Sequence, residues 1–116
     1  MATGAALASG KPQAYCTVPG QGVLNAAAGH STAFATGGRI FALVGQNKRE
    51  FIGRMHGQLH ELPNQMAVLD QMSKHVVGLR DDSVAPGEIA CALAALLGGH
   101  PAPVTVECPL DMWRVE

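Results

Sequence analysis

Nine apolar residues run without interruption from position 89 to 97, inside the segment 86–99, PGEIACALAALLGG. The run is far shorter than the roughly 20 residues a membrane span needs, so it reads as a core helix. Pro86 suits the first helical position, and Glu88 favours the positive end of the helix dipole. Gly98 and Gly99 supply a left-handed stop, and Pro101 prevents continuation. At 100° per residue, Ile89, Leu93, Leu96 and Leu97 share one face, and Ala90, Cys91, Ala94 and Ala95 the other. The large face is expected to fill the core; Leu93→Asp is then expected to unfold the chain. The small face allows the close approach of a sheet or a second subunit.

The rest of the chain is arranged around that helix. Residues 1–13 lack periodicity and are expected to form a flexible N-terminal segment, with a single globular domain over 14–116. Residues 15–18 suit a short strand before the Pro19-Gly20 turn. Residues 22–29 fit strand, helical turn or loop, with strand slightly preferred. Segments 31–36 and 39–44 flank Gly37-Gly38 and predict a β-hairpin, because both glycines tolerate positive φ. The second strand is apolar from Ile40 to Val44, so both its faces need cover. Asn47 as N-cap, with Glu50 three residues on, predicts a helix to Leu62. Pro63 breaks it, and a further helix is expected over 64–79. Met55, Met66 and Met72 are placed on buried helix faces. After the apolar helix, 104–108 alternates as a strand, with Val104, Val106 and Cys108 on one side and Thr105 and Glu107 on the other. Residues 111–115 suit an edge strand in which Trp113 covers the core. The expected fold class is α+β: an N-terminal β-hairpin, three consecutive helices and C-terminal strands, in a two-layer sheet-and-helix domain.

Charge is sparse, at 15% of residues, and a small domain with so little charge suits an oligomer. The net charge of −1 gives no pull toward nucleic acid or anionic membrane. Its distribution is uneven. Segment 39–60 carries Arg39, Lys48, Arg49 and Arg54 against Glu50, whereas six carboxylates follow position 80 against Arg114. Cys16, Cys91 and Cys108 have no metal-type spacing. With no secretory signal pattern at the N-terminus, the expected compartment is the cytoplasm.

Few residues suggest chemistry. His56 and His60 are four apart, a spacing at which two helical imidazoles can share a metal. Gly57 stands where a metalloprotease motif needs Glu, and spacing singles out no third ligand among Glu61, His75, His100 and the cysteines. Arg49 beside them repels a cation, so no metal is expected, with His56 and His60 as weak candidates. The same basic segment offers an anion- or partner-binding face built from Arg39, Lys48, Arg49, Arg54, His56 and His60. Gly20-Gln21-Gly22 begins a dinucleotide-type glycine pattern, but Asn25 occupies the third glycine position. There is no GxSxG elbow, and no catalytic residue or cofactor is expected. The resulting reading is a small non-enzymatic protein-binding or regulatory module acting as a homo-oligomer, a homodimer by preference. The alternatives are a nucleic-acid-binding protein using segment 39–60 and a small metal-dependent enzyme using His56 and His60.

Overall fold

The computed structural model describes residues 1–113. Helices and strands alternate: α1 (Ala2–Ser9), β1 (Gln13–Thr17), α2 (Gln21–Thr36), β2 (Ile40–Gln46), α3 (Gln65–Asp70), β3 (His75–Gly78), α4 (Ala85–Leu97) and β4 (Val104–Pro109). Short 3-10 turns occupy Arg49–Phe51 and Leu110–Met112. The strands form one sheet in the order β1-β2-β4-β3, and every pairing is parallel. Helix and sheet are mixed, as expected, but parallel pairing makes this an α/β domain rather than a hairpin followed by a helical block.

The hairpin is replaced by a crossover. Residues 31–36 are the last turns of α2, and Gly37 is its left-handed cap, with φ 73° and its N–H donated to the Ala33 carbonyl. A Gly-Gly pair closes a helix as readily as it turns a hairpin. The helix itself buries Val23, His30 and Ala33, a helical spacing carried mostly by small residues. Residues 1–13, expected to be flexible, contain α1, whose Ala6 packs with Ala33 and Ile40.

Two of the three expected helices are also corrected. Segment 47–62 holds one 3-10 turn and then irregular chain, and 64–79 divides into the six-residue α3 and strand β3. Positive φ at Gly53, Met55, Gly57 and His60 forbids a right-handed helix through that segment. Asn64, not Asn47, is the functioning cap; its side chain accepts from the Ala67 N–H at 3.0 Å. Of the methionines placed in the core, Met72 is buried and Met55 exposed.

Helix α4 and strand β4 stand where the sequence puts them. The inward stripe of α4 differs, however: Ala92 is 0% and Leu96 3% exposed, while Leu93 is 43% exposed. Ala85, Ile89, Ala92 and Leu96 face the sheet, so the small Ala92 makes the closest approach and the unfolding expected of Leu93→Asp has no basis. At the C-terminus, Leu110–Met112 is a 3-10 turn instead of a strand, and residues 114 and 115 lie outside the described residues. Trp113 is exposed, donating its indole N–H to the Cys108 carbonyl at 3.3 Å.

The sheet separates the core in two. Helix α4 covers Val104, Val106 and Cys108 of β4. Helices α2 and α3 pack with Ala42 and Val44 of β2 on the opposite face. Helices therefore flank both faces, where a two-layer arrangement was expected. Strand β4 is buried at all six positions, whereas β1 alternates, leaving Ala14 and Cys16 exposed.

Candidate functional site at the strand ends

In open parallel sheets the crevice beyond the strand C-termini is the usual ligand site. Here a cavity of about 570 Å3 opens there, with Thr17 and Pro19 after β1, Gln46 and Asn47 at the end of β2, and His60 and Trp113 closing the sides. Its wall is built by close backbone approach. Gly20 holds φ 58° at the entry to α2, and a Cβ there would collide with the His60 carbonyl. A Cβ on Gly22 would collide with the Thr17 hydroxyl, and one on Gly45 would lie 3.1 Å from Pro19 Cδ. The glycines of Gly20-Gln21-Gly22 thus serve a strand-to-helix turn, even without the third glycine of a dinucleotide pattern.

His60 enters the cavity from the irregular segment, also at positive φ (64°), a backbone state that costs energy and persists only under tertiary constraint. Its Nδ1 is hydrogen-bonded to Gln21 Oε1. With that oxygen accepting, Nδ1 carries the proton, and Nε2 is the acceptor of the neutral ring.

Below the cavity, Glu107 is fully buried. It accepts from Gln46 and Gln65 and pairs with Arg80 at 2.6 Å. A second buried group lies deeper on the same face of β4. Tyr15 Oη and His30 Nδ1 are 2.9 Å apart, His30 Nε2 and Ser73 Oγ 2.9 Å, and Ser73 Oγ and Thr105 Oγ1 2.8 Å. Burial lowers the His30 pKa to about 4 and pushes the Tyr15 phenol up to about 12.

The sequence-selected residues scatter over the molecule. Arg39 immediately precedes β2, at the end of the sheet away from the cavity. Arg49 is held at 2.7 Å by Asp111 and 3.2 Å by Asp82 and donates to the Arg80 carbonyl. The bond to Asp111, with lesser help from Asp82, raises its pKa. Lys48 stands beside it in a separate, polar cavity. Arg54 and His56 are exposed, the His56 ring 6.3 Å from that of Phe51. Of the six, His60 alone lines the main cavity. His56 and His60 do not share a helix, and among the described residues no three His, Cys, Asp or Glu side chains are grouped for a metal. Sequence reasoning missed Glu107, Gln46 and Gln65. The Gly20-Gln21-Gly22 pattern, set aside for want of a third glycine, is the sequence signal that lies at this end of the sheet.

Comparison with known proteins gives the site its context. The profile of the family described as "Thiamine pyrophosphate enzyme, N-terminal TPP binding domain" matches residues 1–73. A probable 2-ketoarginine decarboxylase of Pseudomonas aeruginosa is 30% identical over 112 residues, which cover 97% of this chain and 20% of that protein. The chain thus spans about a fifth of the length of this curated relative. These findings overturn the reading as a non-enzymatic protein-interaction or regulatory module, together with its nucleic-acid and small metalloenzyme alternatives. From residue 1 through the strand-end cavity to α3 and its following turn, the chain belongs to the thiamine pyrophosphate enzyme N-terminal TPP-binding domain family.

Proposed function

We propose that the chain contributes the ring-binding part of a thiamine pyrophosphate site in an enzyme acting on 2-keto acids. One observation carries the reading: an apolar cavity at the C-terminal ends of parallel strands, with only a few polar groups on its wall. Leu59, Leu110 and Trp113 offer flat or flexible apolar surface, while Asn47 and His60 offer hydrogen-bonding edges. That chemistry fits an aminopyrimidine ring, which has two apolar faces and a polar rim. A diphosphate has less to hold it, since among the described residues no lysine or arginine lines the cavity. The residues present therefore suit one end of the cofactor.

When bound, the cofactor supplies an electron sink for carbanion chemistry. This chain's own contribution is binding and orientation. Asn47 and the Nε2 of His60 would meet the polar rim of the ring, and Leu59 and Trp113 would exclude water from its faces. The substrate class follows the curated relative, whose name makes it a decarboxylase of 2-ketoarginine. Pairing with a second copy belongs to the same proposal. Ala14 and Cys16 on β1 are exposed beside the half-buried Phe41 and Leu43 of β2, leaving an apolar sheet face for another chain to cover. A cytoplasmic setting is supported by three unpaired thiols, Cys16, Cys91 and Cys108.

Calorimetry tests the ring assignment by comparing thiamine with thiamine pyrophosphate. The chain should bind both with affinities within about three-fold, because the diphosphate gains no contact here. Binding of the pyrophosphate alone, or of neither at millimolar concentration, would contradict the reading.

A further inference from the structure

Glu107 is the one carboxylate among the described residues that is fully buried, and three donors from three different segments converge on it. Gln46 Nε2 donates to Oε2 at 3.0 Å and Gln65 Nε2 at 2.8 Å, while Arg80 Nη2 donates to Oε1 at 2.6 Å. The arginine reaches this point because residue 78 is glycine: a Cβ there would lie 3.0 Å from both terminal guanidinium nitrogens. Arg80 Nη1 is spent on the Leu79 carbonyl at 2.7 Å.

The two glutamines carry the constraint onward. A primary amide donates from one side and accepts on the other, so committing Nε2 to a carboxylate dictates where Oε1 points. Gln65 Oε1 accepts from the Gly20 N–H at 2.8 Å, and its Nε2 also reaches the Gly45 carbonyl at 3.0 Å. Gln46 Oε1 accepts from the Asn47 N–H at 2.8 Å. Gly20 follows Pro19, which lines the cavity after β1, and Asn47 lines it after β2. One buried carboxylate thus orients two amides, and each amide anchors one wall.

We infer that Glu107 is a positioning residue for the strand-end cavity, acting through Gln65 on Gly20 and through Gln46 on Asn47. The anchoring is a property of the chain itself; only the identity of what fills the cavity rests on the proposed function. Replacing Glu107 with Leu removes all three acceptor contacts and leaves the donors stranded. Replacing it with Gln keeps one carbonyl oxygen for the two glutamines and fails only Arg80, which then faces another donor.

The test is amide hydrogen exchange at Gly20 and Asn47, read by NMR, with thiamine titrated into each variant. Glu107→Leu should speed exchange at both amides about ten-fold or more. Gly38, whose N–H is bonded to the Ala33 carbonyl at the other end of the sheet, should stay unchanged. Glu107→Gln should restore slow exchange at Gly20 and Asn47 and recover whatever thiamine affinity the Leu variant loses. Should Glu107→Leu fail to fold, Gln65→Leu leaves the Glu107 contacts to Arg80 and Gln46 in place and should speed Gly20 alone. Unchanged exchange at Gly20 and Asn47 in a folded Leu variant overturns the inference. So does a Gln variant no better than Leu, or an unchanged Gly20 in Gln65→Leu. If the unmodified chain binds no thiamine, the proposed function fails while the exchange rates still decide the role of Glu107.

Discussion

The Tyr15–His30–Ser73–Thr105 chain and the Glu107 cluster both hang from one face of β4, through residues two apart. Both are buried and hydrogen-bonded, as interior polar groups must be. They differ in charge and in where they lead. The first is neutral, since His30 is held unprotonated and Tyr15 un-ionised at ordinary pH. It ties β1, α2 and the segment before β3 together inside the core. The second holds an ionised carboxylate against a guanidinium and passes through two amides to a cavity wall. The contrast teaches that burial alone does not mark a working site. A neutral chain of four side chains fastens the fold, and a charged cluster at the strand ends shapes the surface that a ligand meets.

The sharpest way to break the comparison is to remove each centre. Glu107→Ala should destabilise the domain by about 3–5 kcal/mol, because it leaves a cavity and takes the shared acceptor from the buried amides of Gln46 and Gln65. His30→Ala should cost about 3 kcal/mol, through a cavity and the Tyr15 hydroxyl left without its partner. Urea denaturation measures both, and equal thiamine affinity in the two variants would erase the distinction drawn here. Only the Glu107 change should weaken binding.

Acid should cost nearly as much and act through the neutral chain. In the unfolded state His30 takes up a proton below its ordinary value of 6.5, whereas the folded state resists until about 4. Its contribution is therefore complete above pH 6.5 and lost as pH falls from 6.5 to 4, by about 3 kcal/mol. Tyr15 gives the mirror effect, with stability falling as pH rises from 10 toward 12. His30→Gln should flatten the acid limb; a limb that survives it would place the titration elsewhere. The smallest effect belongs to Tyr15→Phe, which removes one hydroxyl from the chain and should cost about 1 kcal/mol in the same denaturation experiment.

The sequence revealed the elements with large apolar residues and clear stops. Helix α4 and strand β4 are legible for that reason, though Leu93 was assigned inward when Ala92 makes the contact. Helix α2 was hidden because its buried stripe is Val23, His30 and Ala33, and its closing Gly37-Gly38 matches two turn chemistries. Segment 47–62 mimics an amphipathic helix in its side chains, while its backbone takes positive φ four times. Strand alternation put Glu107 on the side opposite Val104, Val106 and Cys108, as the structure has it, but alternation alone does not say whether that side is covered. In a parallel sheet covered on both faces, every position of β4 is interior. His60 was singled out correctly as a residue of interest, but for a helical pairing with His56 that the chain does not make.

The central claim is that the strand-end cavity accepts a thiamine ring. Trp113 is the chain's single tryptophan and lines that cavity, so its emission reports occupancy directly. Titrating thiamine should quench Trp113 saturably, and Asn47→Ala, which removes a polar group from the cavity wall, should weaken the affinity read this way about ten-fold while leaving the fold intact by circular dichroism. Saturable thiamine binding with unchanged Trp113 emission, or undiminished affinity in folded Asn47→Ala, would contradict the account.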